Sequence, residues 1–321
     1  MKQPTGKDYL GRGLHSEKWK KAFREDGKLK GLFEEVCKDE DLVLQIRENY
    51  INIYYKGGNL VKVISENSFQ FDCNYYRCKS GYDNDFKRRK EKRKEVLKRL
   101  KDTQDYKTFI ADMKSLMNEY WLWLEKEKHR TLDEKDTQHA LCINNTENTD
   151  YTIIDLEFQV STHSDCSFRY ERPYRPDGRY VDEEKTSPRF DIVAVRNSDH
   201  RLCVIELKSG INALKGKSGI GDHADSFEGS IGRNDQTSKA FLKEMMKVVC
   251  DKKKLKILNK DFYIDEKAKP EFIYAYAFTS DDNDCKGKER VALNNEILKA
   301  GCDKYKVIYL NKGEFTLSDN L

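Results

Sequence analysis

No run of 18 apolar residues occurs in the 321-residue chain, which argues against a membrane-spanning helix. The opening stretch, MKQPTGKDYLGRGLHSEKWK, carries basic side chains but no apolar core, so no signal peptide is expected there. The nine cysteines include no CxxC pair; the closest two, Cys73 and Cys78, have four residues between them, and the six histidines do not gather near them. A zinc site is therefore not expected, and reduced thiols in a cytoplasmic protein are. Charge of one sign is also missing: 60 Lys and Arg face 56 Asp and Glu, a net charge of +4. There is no global cationic field, so any nucleic-acid footprint must be local. Internal repeats and long low-complexity tracts are absent as well.

What is present is enough for a core, with 37% hydrophobic and 11% aromatic residues. Residues 42–76 read as strands. YINIYYKGGNLVKVI places β-branched and aromatic runs around Lys56-Gly57-Gly58-Asn59, where glycine supplies the positive φ of a hairpin turn. SFQFDCNYY reads as a third strand of the same small antiparallel sheet. Residues 86–129 read as helix in two pieces. In the second, Phe109, Met113, Leu116, Met117, Tyr120 and Leu124 form one apolar stripe. The first is basic: KRRKEKRKEVLKRLK, residues 87–101, is either a solvated helix face or a phosphate-contacting surface, with Lys92, Arg93 and Lys94 as candidate contacts. Tyr50, Tyr54, Tyr55, Phe69 and Phe71 are either sheet and core residues or platforms for stacked bases.

After residue 130 the texture changes. A short helix near 131–143 precedes a strand, YTIIDLEFQV, and then a polar loop. Two further strands follow, RFDIVAV and RLCVIELK. A glycine-rich loop leads to helical sequence at 234–259. Last come the strand EFIYAYAF, a helix near 289–300 and the strand KVIYL.

The segment CVIELKSGINALKGKSG admits two chemistries. A phosphate-binding loop needs Gly, four residues, then Gly-Lys-Ser/Thr at the opening of a helix. Here five residues separate Gly210 from Gly216-Lys217-Ser218, and Gly219 and Gly221 follow where a helix should start. A nucleoside-triphosphate site is therefore disfavoured. The stretch reads as a connector to a helix capped by Asp222.

The hairpin RFDIVAV–RNSDHR–LCVIELK fits better. A loop over Asn197–His200 sets Arg196 opposite Arg201, Val195 opposite Leu202 and Asp191 opposite Glu206. Directly opposed side chains stand about 4.5–5.5 Å apart at Cβ. Alternation puts Lys208 on the face of Glu206, and Ile192, Ala194, Cys203, Ile205 and Leu207 on the other, core-packed face. Opposed carboxylates destabilise a sheet unless a cation lies between them. Hard oxygen donors suit Mg²⁺ or Mn²⁺, and such an ion activates water against a phosphodiester. Lys208 then orients the water or stabilises charge developing on phosphorus.

At PRFDIVAV followed by VIELK the sequence resembles the PD-(D/E)XK nuclease superfamily, the restriction-endonuclease-like fold. The resemblance covers residues 130–312 in order of elements and residues 188–208 in motif. Pro188 lies three residues before Asp191, where the family places its proline directly before the Asp. The resemblance implies an α/β domain, a mixed central sheet flanked by helices, over 130–321. It also implies Asp191 and Glu206 as ligands of Mg²⁺ or Mn²⁺ and Lys208 as the catalytic lysine. Residues 1–129 form an N-terminal module of antiparallel β-sheet plus helical extension that resembles nothing recognised. Superfamily members often carry a further Glu on the first core helix. Glu134 instead fits a capping box, Thr131-Leu132-Asp133-Glu134, and Gln138 lies one turn on. In the next strand Asp155, Glu157 and Gln159 share a polar face that is either solvent-exposed or turned to the cleft, and Glu157 is the favoured extra carboxylate.

The expected function is metal-dependent hydrolysis of phosphodiester bonds, with nucleic acid, DNA first, as partner and no membrane association. The alternative is a catalytically inactive nucleic-acid-binding or regulatory protein on the same fold. An ATPase is the distant third.

Overall fold

The computed structural model describes residues 11–24, 27–71, 86–128, 133–160, 188–233 and 236–319. The protein is mixed α/β with two sheets, one of four strands and one of five. It divides into two compact units, one of residues 14–139 and one joining residues 140–321 to the first thirteen. The division falls ten residues beyond the expected boundary and inside a helix, and it gives the N-terminal segment to the C-terminal unit.

The N-terminal unit opens with two short helices that the sequence reading did not anticipate, α1 (Glu17–Ala22) and α2 (Lys30–Lys38). The strands β1 (Leu42–Ile46), β2 (Ile51–Tyr55), β3 (Gly58–Ser65) and β4 (Ser68–Gln70) then pair in sequence order, all antiparallel. β4 is shorter than the expected third strand, whose residues 72–76 lie outside the described residues. Tyr55 pairs with Gly58, leaving Lys56 and Gly57 as a two-residue turn with φ of 44° and 68°. Two positive φ values match the right-handed twist of the flanking strands. Glycine is required at 57 for a second reason, because a Cβ there would stand 2.4 Å from the Lys135 carbonyl oxygen.

The two expected helical pieces are α3 (Phe86–Thr103) and α4 (Tyr106–Lys128). The stripe on α4 is core: Phe109, Met113, Leu116, Met117 and Leu124 are buried, while Tyr120 is only partly so. Four cations of the basic run on α3 pair with carboxylates. Arg88 and Lys92 reach Glu119 at 2.8 and 3.3 Å, Lys94 reaches Glu91 at 2.8 Å, and Arg99 pairs with Asp112. The guanidinium of Arg93 lies 5.9 Å from the centre of the Phe71 ring.

Helix α5 (Asp133–Asn144) leads into the second unit. There β5 (Tyr151–Gln159), β6 (Arg189–Arg196), β7 (Arg201–Ser209), β8 (Glu271–Ala277) and β9 (Lys306–Leu310) form a sheet in that order. The first three are antiparallel and the last three parallel. The change follows from the connections. Four turn residues join β6 to β7, whereas α6 (Ile220–Glu228) and α7 (Gln236–Lys254) bridge β7 to β8, and α8 (Asn283–Lys299) bridges β8 to β9. Parallel neighbours need such crossovers. α8 begins earlier than expected because Asp282 caps it, accepting the Cys285 N–H at 2.9 Å.

One face of this sheet, with Val193, Val195, Leu202, Val204, Phe272, Tyr274 and Tyr276, packs against Ile220, Ala224 and Phe227 of α6, Phe241 and Met245 of α7, and Leu293 of α8. Ile192, Ala194, Cys203, Ile205 and Leu207 on the other face are also fully buried. The face bearing Glu206 and Lys208 is thus itself a helix-covered core, where the sequence reading placed a core on the opposite face alone.

Candidate active site

The β6–β7 ladder runs from Arg196↔Arg201 to Ile192↔Ile205, the register expected from the loop length. It stops one position short of Asp191 and Glu206. The Asp191 side chain continues where the ladder ends: its Oδ2 accepts the Leu207 N–H at 3.0 Å. A carboxylate has replaced a backbone carbonyl as acceptor, which fixes the Asp191 side chain against the end of β7.

Glu206 and Lys208 leave β7 on one face, and both are almost fully buried. Lys208 Nζ donates to Glu206 Oε1 at 2.7 Å. The same oxygen receives His223 Nε2, from α6, at 2.9 Å. Beside them in β8 stand Tyr274, level with Glu206, and Tyr276, level with Lys208. Each tyrosine hydroxyl is committed elsewhere. Tyr274 donates to the Ile220 carbonyl at 2.7 Å and Tyr276 to Glu289 Oε2 at 3.1 Å. They form an aromatic wall rather than further acids.

Asp191 feels this concentration of charge. Its carboxyl is pushed up to about 7, first by burial and then by the Glu206 carboxylate, while Lys208, the Leu207 amide and His223 pull the other way. Burial disfavours the charged form and a like charge adds to that. The carboxylates are not unopposed, however. Lys208 and His223 already meet Glu206, so the expense of opposed carboxylates does not by itself demand a metal ion. Among the described residues, no group of three or more His, Cys, Asp and Glu is arranged to hold one.

The structure brings Asp191, Glu206 and Lys208 together, and the β5–β6 register sets Glu157 level with Asp191. Strand alternation in β5 breaks at a bulge between Ile153 and Asp155. Ile154, Phe158 and Val160 reach the helix-covered core, but Leu156 does not join them, so the expected apolar and polar faces are not continuous. Asp155 is fully buried and ion-paired with Arg12 at 3.1 Å. Glu157 has φ of 48°, and its carbonyl accepts from Arg12 at 3.2 Å. It lies level with Asp191, between the pairs Leu156↔Ile192 and Phe158↔Phe190.

Other expectations also change. Asp222 does not cap α6: Gly219 occupies that position, and Asp222 sits in the first turn. Residues 211–214 and 216–218 are short 3₁₀ turns, so no helix opens at Gly216-Lys217-Ser218 as a phosphate loop requires. Thr131 of the proposed capping box lies outside the described residues, Glu134 is exposed, and Gln138 is buried within the N-terminal unit. Base stacking loses most of its platforms. Tyr54 and Tyr55 are buried, with hydroxyls bonded to Arg47 and Asn118, and Phe69 and Phe71 pack on Phe109. Tyr50 lies under the Lys62 ammonium, 3.9 Å from its ring centre.

The sequence reading missed His223 and the Arg12–Asp155 pair. A lone histidine between two aspartates carries no motif. Residues 12 and 155 are joined only by the fold. Among the described residues no helix is long and apolar enough to cross a membrane. No family model, curated protein or solved structure matches this chain.

Proposed function

We propose that the C-terminal unit is a metal-dependent nuclease that hydrolyses phosphodiester bonds, in DNA, on a restriction-endonuclease-like fold. The observation that carries this reading is the convergence of Asp191, Glu206 and Lys208 at the end of the β6–β7 hairpin. The order helix, three antiparallel strands, helices, two parallel strands supports it, as does the resemblance of residues 188–208 to the PD-(D/E)XK motif.

The donor set fits a hard divalent cation. Asp191 and Glu206 supply oxygen, and the Asp191 carboxyl is raised to about 7 first by burial and then by the Glu206 carboxylate, both of which a bound cation would offset. Mg²⁺ is commonly held by one or two carboxylates with water and substrate phosphates rather than by an all-protein cage. Asp191 and Glu206 would hold it. When bound, the ion polarises the phosphodiester and lowers the pKa of water. Lys208 places its ammonium where charge develops on the phosphoryl oxygens as water adds to phosphorus and the bond to the leaving sugar oxygen breaks. Glu206 holds that ammonium in place, and the Tyr274–Tyr276 wall keeps bulk water from the buried side.

One observation favours a second reading. Lys208 and His223 both bond the same Glu206 oxygen without any ion, as in a protein that has kept the fold for binding and lost the chemistry. A single experiment separates the two. Plasmid and single-stranded DNA are incubated with the purified protein in Mg²⁺, Mn²⁺ or EDTA, beside Asp191→Ala and Lys208→Ala. The nuclease reading expects ion-dependent cleavage that Asp191→Ala abolishes. Lys208→Ala should still bind the ion but turn over about 10²–10³-fold more slowly, as when a transition-state donor is removed. DNA binding without cleavage under every ion supports the second reading.

A further inference from the structure

We infer that His223 is a positioning residue of this site, acting through Glu206; the inference rests on the nuclease reading above. Ile220, Ala224 and Phe227, spaced by three and four, are the buried face of α6. His223 stands three residues after Ile220 and four before Phe227, so it shares that face. Its ring nevertheless ends on a carboxylate rather than in the core. Nε2 lies 2.9 Å from Glu206 Oε1, with the His223 side chain 18% exposed and that of Glu206 2%.

The helix is tied to the sheet at the same level. Tyr274 pairs with Glu206 in the parallel ladder, and its hydroxyl donates to the Ile220 carbonyl at 2.7 Å. Ile220 opens the turn that carries His223. The distance from ring to carboxylate is therefore set by packing and by a buried hydrogen bond, not by a mobile loop.

The consequence falls on Lys208. A carboxylate accepts, so Nε2 carries the proton toward Oε1, and Oε1 then accepts from both Nε2 and Lys208 Nζ, the latter at 2.7 Å. Two donors on one oxygen each hold it less strongly than one alone. With His223 in place, Glu206 is pinned from the helix side, and Lys208 keeps N–H capacity for the substrate phosphate. Without it, Lys208 becomes the main counter-charge of a buried carboxylate and is drawn onto it, while Glu206 gains freedom to turn.

The test uses the full chain with Mn²⁺ as probe. Ion affinity is read by electron paramagnetic resonance, kcat and KM by plasmid cleavage, and folding by thermal melting. His223→Ala should lower kcat about 10–100-fold, the usual range for an outer group that orients a ligand, with KM nearly unchanged and Mn²⁺ bound more weakly. His223→Gln, which keeps an N–H donor, should recover most of kcat. If His223→Ala does not fold, His223→Gln against His223→Met makes the same comparison at similar volume. Equal kcat in wild type and His223→Ala overturns the inference, as does a His223→Gln protein no better than the variant lacking a donor. Nitrogen coupling to bound Mn²⁺ that vanishes in His223→Gln also overturns it, by making His223 a ligand. Wild-type protein that neither binds Mn²⁺ nor cleaves DNA defeats the nuclease reading itself. Cleavage by wild type that His223→Ala leaves intact defeats the inference alone.

Discussion

Two regions of this protein are built from the same charged residue types and behave differently. On α3 and α4, Arg88, Lys92 and Glu119 pair on a surface open to water, with side chains between 27 and 52% exposed. Around β5, β6 and β7, the pairs Arg12–Asp155 and Lys208–Glu206 have side chains no more than 7% exposed. Water screens the first set, so each pair contributes little and can exchange partners. The second set has given up its hydration and depends on its neighbours for compensation. The lesson is that the density of charge in the sequence points to the wrong place. The surface pairs of the Lys and Arg run on α3 catch the eye, yet the electrostatic stress lies with sparse charges at the ends of apolar strands and, within the run itself, with the fully buried Arg89.

Three measurements test this contrast. The largest expected effect is at Arg12. Its guanidinium meets the fully buried Asp155, and its backbone N–H donates to Glu244 at 2.6 Å. Arg12→Ala leaves a buried carboxylate without its cation, and chemical denaturation should show a loss of about 3–5 kcal/mol. A loss below about 1 kcal/mol, the range of exposed pairs, would mean that buried and exposed pairs here are alike.

The next effect depends on pH. The Asp191 carboxyl stands at about 7 in the folded protein and near 3.9 in an unfolded chain. Between those values the folded state holds a proton that the unfolded state has released. Wild-type stability in EDTA should therefore fall as pH rises toward 7, by about 1.4 kcal/mol per pH unit from this group. Asp191→Asn keeps an acceptor for the Leu207 amide but has no charge to bury. Its advantage over wild type should grow by about 2–3 kcal/mol between pH 5 and pH 8. Parallel stability curves for the two proteins would show that Asp191 is not electrostatically stressed.

The smallest effect is expected on α3. Replacing Lys92, Arg93 and Lys94 together by Gln should change stability by less than about 1 kcal/mol. If this run exchanges its carboxylate partners for phosphates, the same variant should show a shallower dependence of DNA affinity on salt, by about 0.9 in log–log slope for each phosphate that is no longer neutralised. An unchanged slope would leave the run as a solvated helix face only.

Much of the C-terminal unit was legible in the sequence because its strands are short apolar runs bounded by charge and turn residues. The hairpin register followed from four loop residues, and with it the approach of Asp191 to Glu206. What was not legible depends on breaks in periodicity and on long-range partners. The bulge at Ile153–Asp155 has no local marker, so alternation gave no sign that Asp155 is fully buried and paired with Arg12. His223 lies on a helix separated from β7 by two irregular turns, and only packing decides that its ring meets Glu206. Helices α1 and α2 are short and went unread for the same reason: six and nine residues give too few turns for a period to emerge.

The C-terminal unit is discontinuous, and synthesis adds a constraint of its own. Arg12 leaves the ribosome before Glu244, the side chain that accepts its backbone N–H, which follows 232 residues later. At 5–20 residues per second that interval is about 10–50 s. Residues 14–139 are complete well before it ends and are free to fold first. Arg12 must meanwhile stay uncommitted, because its lasting partners on β5 and α7 do not yet exist. In translation Arg12 waits for partners made much later, and its closing onto Asp155 and Glu244 can come only after β5 and α7 have been made.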